Sequence, residues 1–417
     1  MHTRRGIQRP IPGVPGPLLL WMTAAPLIAA CESRAADTGL VVRDSAAVTV
    51  SESRGAAWET TAGWSIATEP MLSIGVADGA ADQQLFGVLS AVRLGDGRIV
   101  VANRGTAEVR WYGPDGTLLA SRGGAGGGPD EFRDLASVHR LAADSVGAYD
   151  FATGRVRIYD PNAVLVRSVQ LARPTSAPLR GLSFLAGGRM AAVPPGASSR
   201  ADTSRTGQVI RDSVPVLMFA PDGALEDTLR IVPGAEQFVS GRLGRAFVTI
   251  APFGRETVLA AYEDTLWVGT GQDFELAGYG PDGGLARLVR VLGADSAVTA
   301  EHMTDFRREL LDLLPVEAAE QRARMREALE EMPTPLTHPA YARLLTDPDG
   351  NFWLGGWSLP VAEPTRWRVV AADGRYLGGI TVPPRTRLLE VGRDWLLVRR
   401  QDELDVERVQ LLPLRKP

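Results

Sequence analysis

The fold is decided by Val92–Val101, which reads Val-Arg-Leu-Gly-Asp-Gly-Arg-Ile-Val-Val: an alternating strand, a tight turn and a second strand. The Asp-Gly pair supplies the positive backbone φ that a tight β-hairpin turn needs. Five further copies of this hairpin pattern occupy residues 139–149, 184–191, 261–268, 345–354 and 390–398. A pattern repeated at this spacing predicts a fold built from one supersecondary unit.

A second hairpin, with a Pro-Asp-Gly type of turn, follows most of these copies. It occurs at residues 111–116, 158–162, 219–223, 279–283 and 370–374. Two hairpins in series form a four-stranded antiparallel meander, and the spacing leaves no room for the crossover helices of a parallel sheet. The sequence therefore predicts an all-β fold, a six-bladed β-propeller of four-stranded antiparallel blades.

The two ends of the repeat region are expected to pair with each other. The sixth copy has three strands, the last over 404–412, and an unassigned strand candidate over 64–75 precedes the first copy. We expect that segment to supply the outermost strand of the last blade and so to close the ring, which removes an exposed sheet edge. Residues 64–417 are then the propeller, and residues 31–63 are a tether with one extra strand near 40–50.

Two insertions interrupt the repeats, at 194–213 within the third blade and at 297–339 between the fourth and fifth blades. In an antiparallel blade both connections emerge on the same face, which we call the funnel face. Apolar residues at helical spacing after Thr299 predict a helix that Pro315 ends, and a second helix follows over 316–332. Two interpretations remain open: a helical hairpin that packs on the rim for stability, or a lid over the funnel.

The first thirty residues have the layout of an export signal. Arg4, Arg5 and Arg9 precede an apolar stretch that ends in Leu27-Ile28-Ala29-Ala30-Cys31. The apolar stretch is too short to span a membrane. The last five residues resemble the box of bacterial lipoproteins, in which the cysteine is acylated and becomes the new N-terminus, so we predict that residues 1–30 are a signal peptide and that Cys31 is lipidated. An ordinary signal peptide with an incidental cysteine is the alternative.

Composition excludes several classes of protein. The 417 residues carry 45 Lys+Arg against 49 Asp+Glu, and cleavage after residue 30 would change the formal charge from −4 to −7. An acidic body gives no electrostatic basis for binding nucleic acid. A single cysteine excludes an intramolecular disulfide and a multi-cysteine metal site. His139, His302 and His338 are not at ligand spacing, so no zinc site or other cofactor is predicted.

With these residues in place, the chain resembles the six-bladed β-propeller lipoproteins of the bacterial NHL-like superfamily. The resemblance covers about residues 64–415. It rests on residues 98–103 (Arg-Ile-Val-Val-Ala-Asn), 126–132 (Gly-Gly-Gly-Pro-Asp-Glu-Phe), 349–354 (Asp-Gly-Asn-Phe-Trp-Leu) and 400–407. Glu32, rather than an aspartate, follows Cys31, which by analogy with the lipoproteins of enteric bacteria favours delivery to the periplasmic side of the outer membrane, with the lipid anchor as the only membrane contact.

Members of this superfamily include binding proteins, lactonases and lyases, so two functions are weighed. The first is a non-enzymatic binding or scaffold protein for a small molecule, a glycan or a protein. The second is a metal-dependent hydrolase resembling gluconolactonases, which hold a divalent cation with Glu, Asn and Asp. We favour binding, because of the asparagines only Asn103 is placed on the funnel face. The candidates for that face, each near the end of a second strand of a blade, are Asn103, Arg104, Asp150, Trp357 and Arg399.

Overall fold

The structure is a computed structural model that describes residues 39–417, apart from 175–176, 197–202, 243–244, 294–296, 313, 316 and 358–363. The predicted signal peptide and Cys31 lie outside the described residues. No helix in the described part of the chain is both long enough and apolar enough to cross a membrane.

The described chain is mostly β-structure. In chain order the strands are β1 (Val41–Ser45), β2 (Val48–Ser53), β3 (Ser65–Ile66), β4 (Leu72–Ile74), β5 (Val88–Arg93), β6 (Ile99–Asn103), β7 (Glu108–Tyr112), β8 (Leu118–Gly123), β9 (Leu135–Arg140), β10 (Val146–Asp150), β11 (Arg155–Tyr159), β12 (Leu165–Gln170), β13 (Arg180–Phe184), β14 (Met190–Val193), β15 (Val209–Ile210), β16 (Ser213–Phe219), β17 (Leu225–Pro233), β18 (Gln237–Arg242), β19 (Arg245–Ile250), β20 (Val258–Tyr262), β21 (Thr265–Gly269), β22 (Glu275–Tyr279), β23 (Leu285–Val291), β24 (Arg343–Thr346), β25 (Phe352–Gly355), β26 (Thr365–Val370), β27 (Tyr376–Val382), β28 (Thr386–Val391), β29 (Trp395–Gln401) and β30 (Glu407–Arg415). The α-helices are α1 (Ala300–Asp312) and α2 (Ala319–Glu331), and short 3₁₀ segments cover Ala57–Glu59, Arg104–Thr106, Ala142–Asp144, Ala186–Gly188 and Thr203–Arg205.

Most strands belong to four-stranded antiparallel meanders. Strands β5–β8, β9–β12 and β24–β27 each form one sheet in chain order, and β13, β14, β16 and β17 form another. Strands β20–β23 keep the same order inside a six-stranded sheet, and β28–β30 do so inside a five-stranded sheet. The all-β prediction is confirmed, and this arrangement is consistent with a β-propeller.

The turn chemistry explains why these hairpins form where they do. In the turn between β5 and β6, Gly97 has φ 92°, and its N–H donates to the carbonyl of Leu94 at 3.0 Å. In the turn between β7 and β8, Gly116 has φ 85°, and the Asp115 carboxylate accepts the N–H of Thr117 at 3.0 Å. Both glycines occupy a backbone conformation that a side chain would strain.

The hydrophobic cores lie between neighbouring sheets. One core joins the first meander to the second, where the rings of Trp111 and Tyr159 meet edge to face with centroids 5.3 Å apart. Another joins the last sheet to the first, with Leu397 and Val409 packed with Val101. Each meander therefore buries its apolar faces against the sheets that flank it.

The N-terminal strand candidate pairs with the last strand. Strand β4 runs antiparallel to β30, with Leu72 opposite Leu411, and β3 also pairs with β30, with Ser65 opposite Arg415. The predicted pairing of segment 64–75 with the C-terminal sheet is thus observed.

Residues 41–53 are not a tether. They form the hairpin β1–β2, and β2 runs parallel to β23, with Thr49 opposite Arg287. The sequence analysis expected one strand here because the turn has neither Asn nor Gly. Instead Ala46 and Ala47 take φ 48° and 68°, the two positive values that a tight hairpin turn requires. The side-chain hydroxyl of Ser51 also donates to the carbonyl of Asp373 at 2.9 Å, which ties this hairpin to the neighbouring sheet.

The two inserted segments and a further segment that contains β18 and β19 build a small accessory unit. Its three-stranded sheet, in which β15 pairs with β18 and β18 with β19, was not predicted from the sequence. The two predicted helices are confirmed as α1 and α2, and the Thr299 hydroxyl accepts the N–H of His302 at 3.2 Å, as a helix cap does. Phe306 of α1 and Leu329 of α2 are buried in one core with Phe238 of β18.

The glycine-rich segment 123–132 is held in place by contacts with the second meander. The Arg157 guanidinium donates to the carbonyls of Gly128, Pro129 and Glu131, and it stacks 4.3 Å from the Phe132 ring. A buried arginine that satisfies three carbonyls gives this loop one defined path.

Candidate functional site

Two arginines face each other across strands β28 and β29. Arg387 lies directly opposite Arg399 in the antiparallel register, so both side chains project from the same face of the sheet. The Arg399 side chain is 11% exposed, and Arg387 is partly buried. Like charges placed directly opposite each other destabilise a sheet, so this pair has an energetic cost to the fold.

A third arginine reaches this pair from the neighbouring sheet. Arg343 is the first residue of β24, just after the helical insertion, and its Nη2 donates to the Leu388 carbonyl at 2.6 Å. Burial, and then the charges of Arg387 and Arg399, lower the pKa of Arg343 to about 9. Burial and the charge of Arg399 also lower the pKa of Arg387. The three guanidinium groups therefore interact electrostatically.

In the described part of the chain, one buried carboxylate accompanies them. Glu407 of β30 accepts from Arg399 Nη1 at 2.8 Å through one oxygen, and from the N–H of Val88 at 2.7 Å through the other. We call Arg343, Arg387, Arg399 and Glu407 the arginine cluster. Three cations and one anion leave it with two uncompensated positive charges, in a chain whose formal charge is −4.

Two nitrogens of the cluster have no partner. The Nε atoms of Arg387 and Arg399 are buried and make no hydrogen bond with any described residue. Most buried polar atoms in folded proteins are paired, so an orphan pair of guanidinium donors requires an explanation. Guanidinium groups bind carboxylate and phosphate oxygens with matching geometry, so the cluster has the chemistry of an anion site.

Of the residues predicted for the funnel face, Arg399 is the one that belongs to the arginine cluster. Arg104, also predicted there, has a half-exposed side chain whose Nε donates to Asp134 at 2.8 Å. That ion pair lies between the first and second meanders, and no contact joins it to the arginine cluster in the part of the chain described.

Asn103 has a structural role instead of facing a ligand. Its side chain is fully buried, accepts the N–H of Phe86 at 2.7 Å and donates to the Thr106 hydroxyl at 2.7 Å. These bonds use the amide to hold the strand end, and they leave no surface for a ligand to contact.

Asp150 is also fully buried. Its carboxylate accepts backbone N–H groups of Arg133 and Thr153 at 3.0 and 3.2 Å, and it lies 3.7 Å from the Arg157 guanidinium. A carboxylate satisfied in this way stabilises the loop between two meanders. The sequence analysis placed it on the funnel face because strand position alone does not reveal what a side chain bonds to.

Trp357 belongs to the core under the helical insertion. Its ring centroid is 4.5 Å from that of Phe253 and 5.7 Å from that of Phe306. The structure thus separates Trp357 from Arg399: the first supports the insertion, and the second belongs to the arginine cluster.

The structure also pairs two histidines that the sequence analysis left unpaired. His338 Nε2 lies 3.0 Å from His302 Nδ1, and both rings contact the Phe253 ring. Burial, together with the nearby His302, lowers the pKa of His338. The pair could not be found from spacing because 36 residues separate its members. No group of three or more His, Cys, Asp or Glu suited to a metal occurs among the described residues.

Two first strands of the meanders carry groups with shifted pKa values. On β28, burial raises the pKa of Glu390 to about 7, and its carboxylate accepts the N–H of Arg93 at 2.6 Å. On β9, burial lowers the pKa of His139 to about 4, and the ring is 2.8 Å from the Ser137 hydroxyl. Glu390 and Arg387 share one strand, three residues apart.

A cavity in this sheet lies on the opposite side of β29. It has a volume of about 820 Å³ and is lined by Arg400, Arg408, Asp402 and Gln410 among others. Arg408 there is paired with Asp402 at 2.7 Å. Arg400 neighbours Arg399 in sequence but projects from the other face, so it offers a matched control for the cluster.

Comparison with known proteins gives fold-level likeness only. No known protein family matches the sequence, and no curated protein does. A member of the DUF4221 family from Bacteroides vulgatus is 10% identical with a TM-score of 0.46, over 85% of this chain and 98% of that one. A protein of unknown function from Bacteroides thetaiotaomicron has the same identity and TM-score, over 85% and 76%. Virginiamycin B lyase from Staphylococcus aureus is 8% identical with a TM-score of 0.40, over 84% and 100%. Similarity this low carries no argument about activity.

Proposed function

We propose that this chain is a lipid-anchored, extracytoplasmic six-bladed β-propeller that binds a ligand at the face carrying the arginine cluster. The observation that supports the binding role is the pair Arg387 and Arg399. Their two positive charges face each other, and the Nε atom of each is buried without a partner among the described residues. Both features lower the stability of the fold. Residues retained against stability are commonly retained for function.

The closed ring of six blades is supported by packing between sheets. Separate cores join the first meander to the second, the second to the third, and so on to the sixth, and a further core joins the sixth back to the first. In addition, Glu407 of the last sheet binds the N–H of Val88 at the start of the first. A cycle of six cores matches a ring of six blades, with β4 as the outermost strand of the last one.

The lipid anchor is supported by the sequence Leu27-Ile28-Ala29-Ala30-Cys31 after an apolar stretch. An acyl chain holds a protein at a bilayer by burying its methylene groups, without a spanning helix. On this account the propeller is exported and held at the bacterial envelope, at the periplasmic side of the outer membrane, and its ligand is a small molecule, a glycan or a protein.

The anchor is tested by producing the full chain in a bacterium fed radioactive palmitate. We expect a labelled protein in the membrane fraction, and an unlabelled one when Cys31→Ser replaces the acceptor thiol. Equal labelling of both forms, or wild-type protein confined to the soluble fraction, would contradict the anchor.

Binding is separated from hydrolysis by incubating the purified full chain with a panel of lactones, with and without EDTA. We expect no turnover and no change in the thermal midpoint on adding Ca²⁺. Lactone turnover that EDTA abolishes would instead establish the metal-dependent hydrolase.

A further inference from the structure

We propose that the arginine cluster binds a small oxyanion that carries two negative charges, a class that includes both phosphates and dicarboxylates. The inference rests on the proposed binding role of this face and names the class of ligand. Arg343, Arg387 and Arg399 supply the positive charge, and Glu407 compensates one of the three.

The net charge of the arginine cluster indicates the charge of the ligand. The carboxylate of Glu407 is already engaged, since one oxygen accepts from Arg399 and the other from the N–H of Val88. Two positive charges therefore remain uncompensated in a partly desolvated setting, where electrostatic interactions are stronger than in water. A dianion would neutralise them.

The donors are held in position before any ligand arrives. Arg343 is fixed by its bond to the Leu388 carbonyl and by its stacking over the Trp367 ring at 5.3 Å, and Arg399 is fixed by Glu407. Side chains that are already ordered lose less conformational entropy when a ligand binds. The cluster is therefore pre-organised for a ligand.

Arg387 and Arg399 each have a donor that no described residue uses. The Nε of Arg387 is buried without a partner among the described residues, as is that of Arg399. Arg157, by comparison, has carbonyl partners for its Nε and Nη2, and its unbonded Nη1 lies 3.7 Å from the Asp150 carboxylate. Oxygens of a bound anion would satisfy the two orphan donors and would screen the Arg387–Arg399 repulsion at the same time.

Two members of the cluster keep partial exposure to solvent. Arg343 and Arg387 are only partly buried, each lying at or next to the start of its strand. Arg343 also directly follows the helical insertion, so its end of the strand lies on the face from which that insertion emerges. We expect the anion to enter from this side.

The test is calorimetric titration of the full chain, purified in detergent, with sodium phosphate and with disodium succinate, against sodium chloride at matched ionic strength. Maltose serves as a neutral probe. The variants are Arg387→Gln, Arg343→Gln and the control Arg400→Gln, which removes a charge from the other face of β29. Circular dichroism establishes that each variant is folded.

We expect saturable binding of at least one of the two anions and none of chloride or maltose. Arg387→Gln and Arg343→Gln should each weaken it by about tenfold or more, as the loss of a charge-assisted hydrogen bond does, whereas Arg400→Gln should stay within about twofold. Binding of phosphate but not succinate would identify the ligand as a phosphate. Binding of succinate but not phosphate would identify it as a dicarboxylate. Equal weakening by Arg387→Gln and Arg400→Gln, or no saturable anion binding, would overturn the inference. If maltose bound and neither anion did, the proposed binding role would stand, and only the inference that the ligand is an anion would be wrong.

Discussion

Arg387 and Arg399 lie directly opposite one another on neighbouring antiparallel strands, each with a buried Nε that no described residue satisfies. A sheet built for stability alone would place an acid or an apolar residue at one of these positions. The pairing therefore identifies a position where the chain gives up stability.

Removing one charge should stabilise the free protein. We expect Arg387→Leu to raise the free energy of unfolding by about 0.5–1 kcal/mol in chloride buffer, because the like-charge repulsion disappears and an apolar side chain fills a partly buried position. Urea unfolding measures the change. The exposed Arg393→Gln in the next turn is the control and should have almost no effect. A destabilised Arg387→Leu would mean that Arg387 serves the fold.

Removing the acid should have the opposite effect. Glu407→Gln leaves the Arg399 charge buried without its carboxylate, so we expect a loss of about 3 kcal/mol, the usual result of breaking a buried ion pair. Urea unfolding again measures it, with the exposed Glu403→Gln as control.

A double-mutant cycle tests the cause of that loss. Adding Arg399→Gln to Glu407→Gln should recover part of the stability, since the unpaired charge is then gone. A loss below about 0.5 kcal/mol in the single variant would contradict the assignment of Glu407 as the neutralising group.

Glu390 should make the protein less stable as the pH rises. Its pKa is about 7 in the fold, above the ordinary value of 4.5, because burial disfavours the charged carboxylate. A raised folded pKa gives stability that is fully present below pH 4.5 and lost as the pH rises through 7. We therefore expect the wild type to lose stability relative to Glu390→Gln between pH 5 and pH 8, as followed by urea unfolding.

His139 acts in the opposite direction, so it must be controlled for. Its pKa is about 4 in the fold against an ordinary 6.5, which gives stability above pH 6.5 that is lost as the pH falls toward 4. The difference between wild type and Glu390→Gln cancels this contribution. Parallel pH profiles of the two proteins would show that the Glu390 carboxyl has no raised pKa.

The helical insertion should be separable from the arginine cluster. Phe306 is buried between Phe253 and Trp357, so Phe306→Ala should remove about 3 kcal/mol of packing from the accessory core. We expect faster proteolysis within residues 297–339 but an unchanged response to phosphate or succinate. The control is Leu336→Ala at a side chain that is 89% exposed. Loss of the anion response in Phe306→Ala would mean that the insertion supports the site.

Much of the fold could be predicted from turn residues, and the exceptions have physical causes. The Asp-Gly and Pro-Asp-Gly turns mark hairpins because glycine takes a positive φ easily, as Gly97 does. Ala46 and Ala47 adopt the same conformation without that signal, so the hairpin β1–β2 went unpredicted. The parallel pairing of β2 with β23 is fixed by tertiary contacts such as Ser51 with Asp373, which leave no trace in local sequence.

The candidate site was only partly predictable. Strand order selected Arg399, which lies near the end of β29, but the same rule selected Asn103 and Asp150, whose side chains are used by neighbouring backbone groups. Whether a polar side chain is free or engaged depends on loops from other parts of the chain. Arg343 escaped notice because its proximity to the pair exists only after two sheets have packed together. The placement of Arg387 opposite Arg399 depends on the exact register of the β28–β29 hairpin, which the turn pattern alone does not give.

The central claim is that the two ends of the chain meet in one sheet, the sheet that also carries Arg387, Arg399 and Glu407. Ser73 lies opposite Gln410 across β4 and β30, so we would introduce Ser73→Cys with Gln410→Cys in a Cys31→Ser background. The account predicts an intramolecular disulfide on mild oxidation that raises stability by roughly 4 kcal/mol, because it closes a very long loop. Ser73→Cys with Val166→Cys, on a different sheet, should form none. Failure of the first pair to cross-link, or cross-linking as readily by the second, would contradict the account.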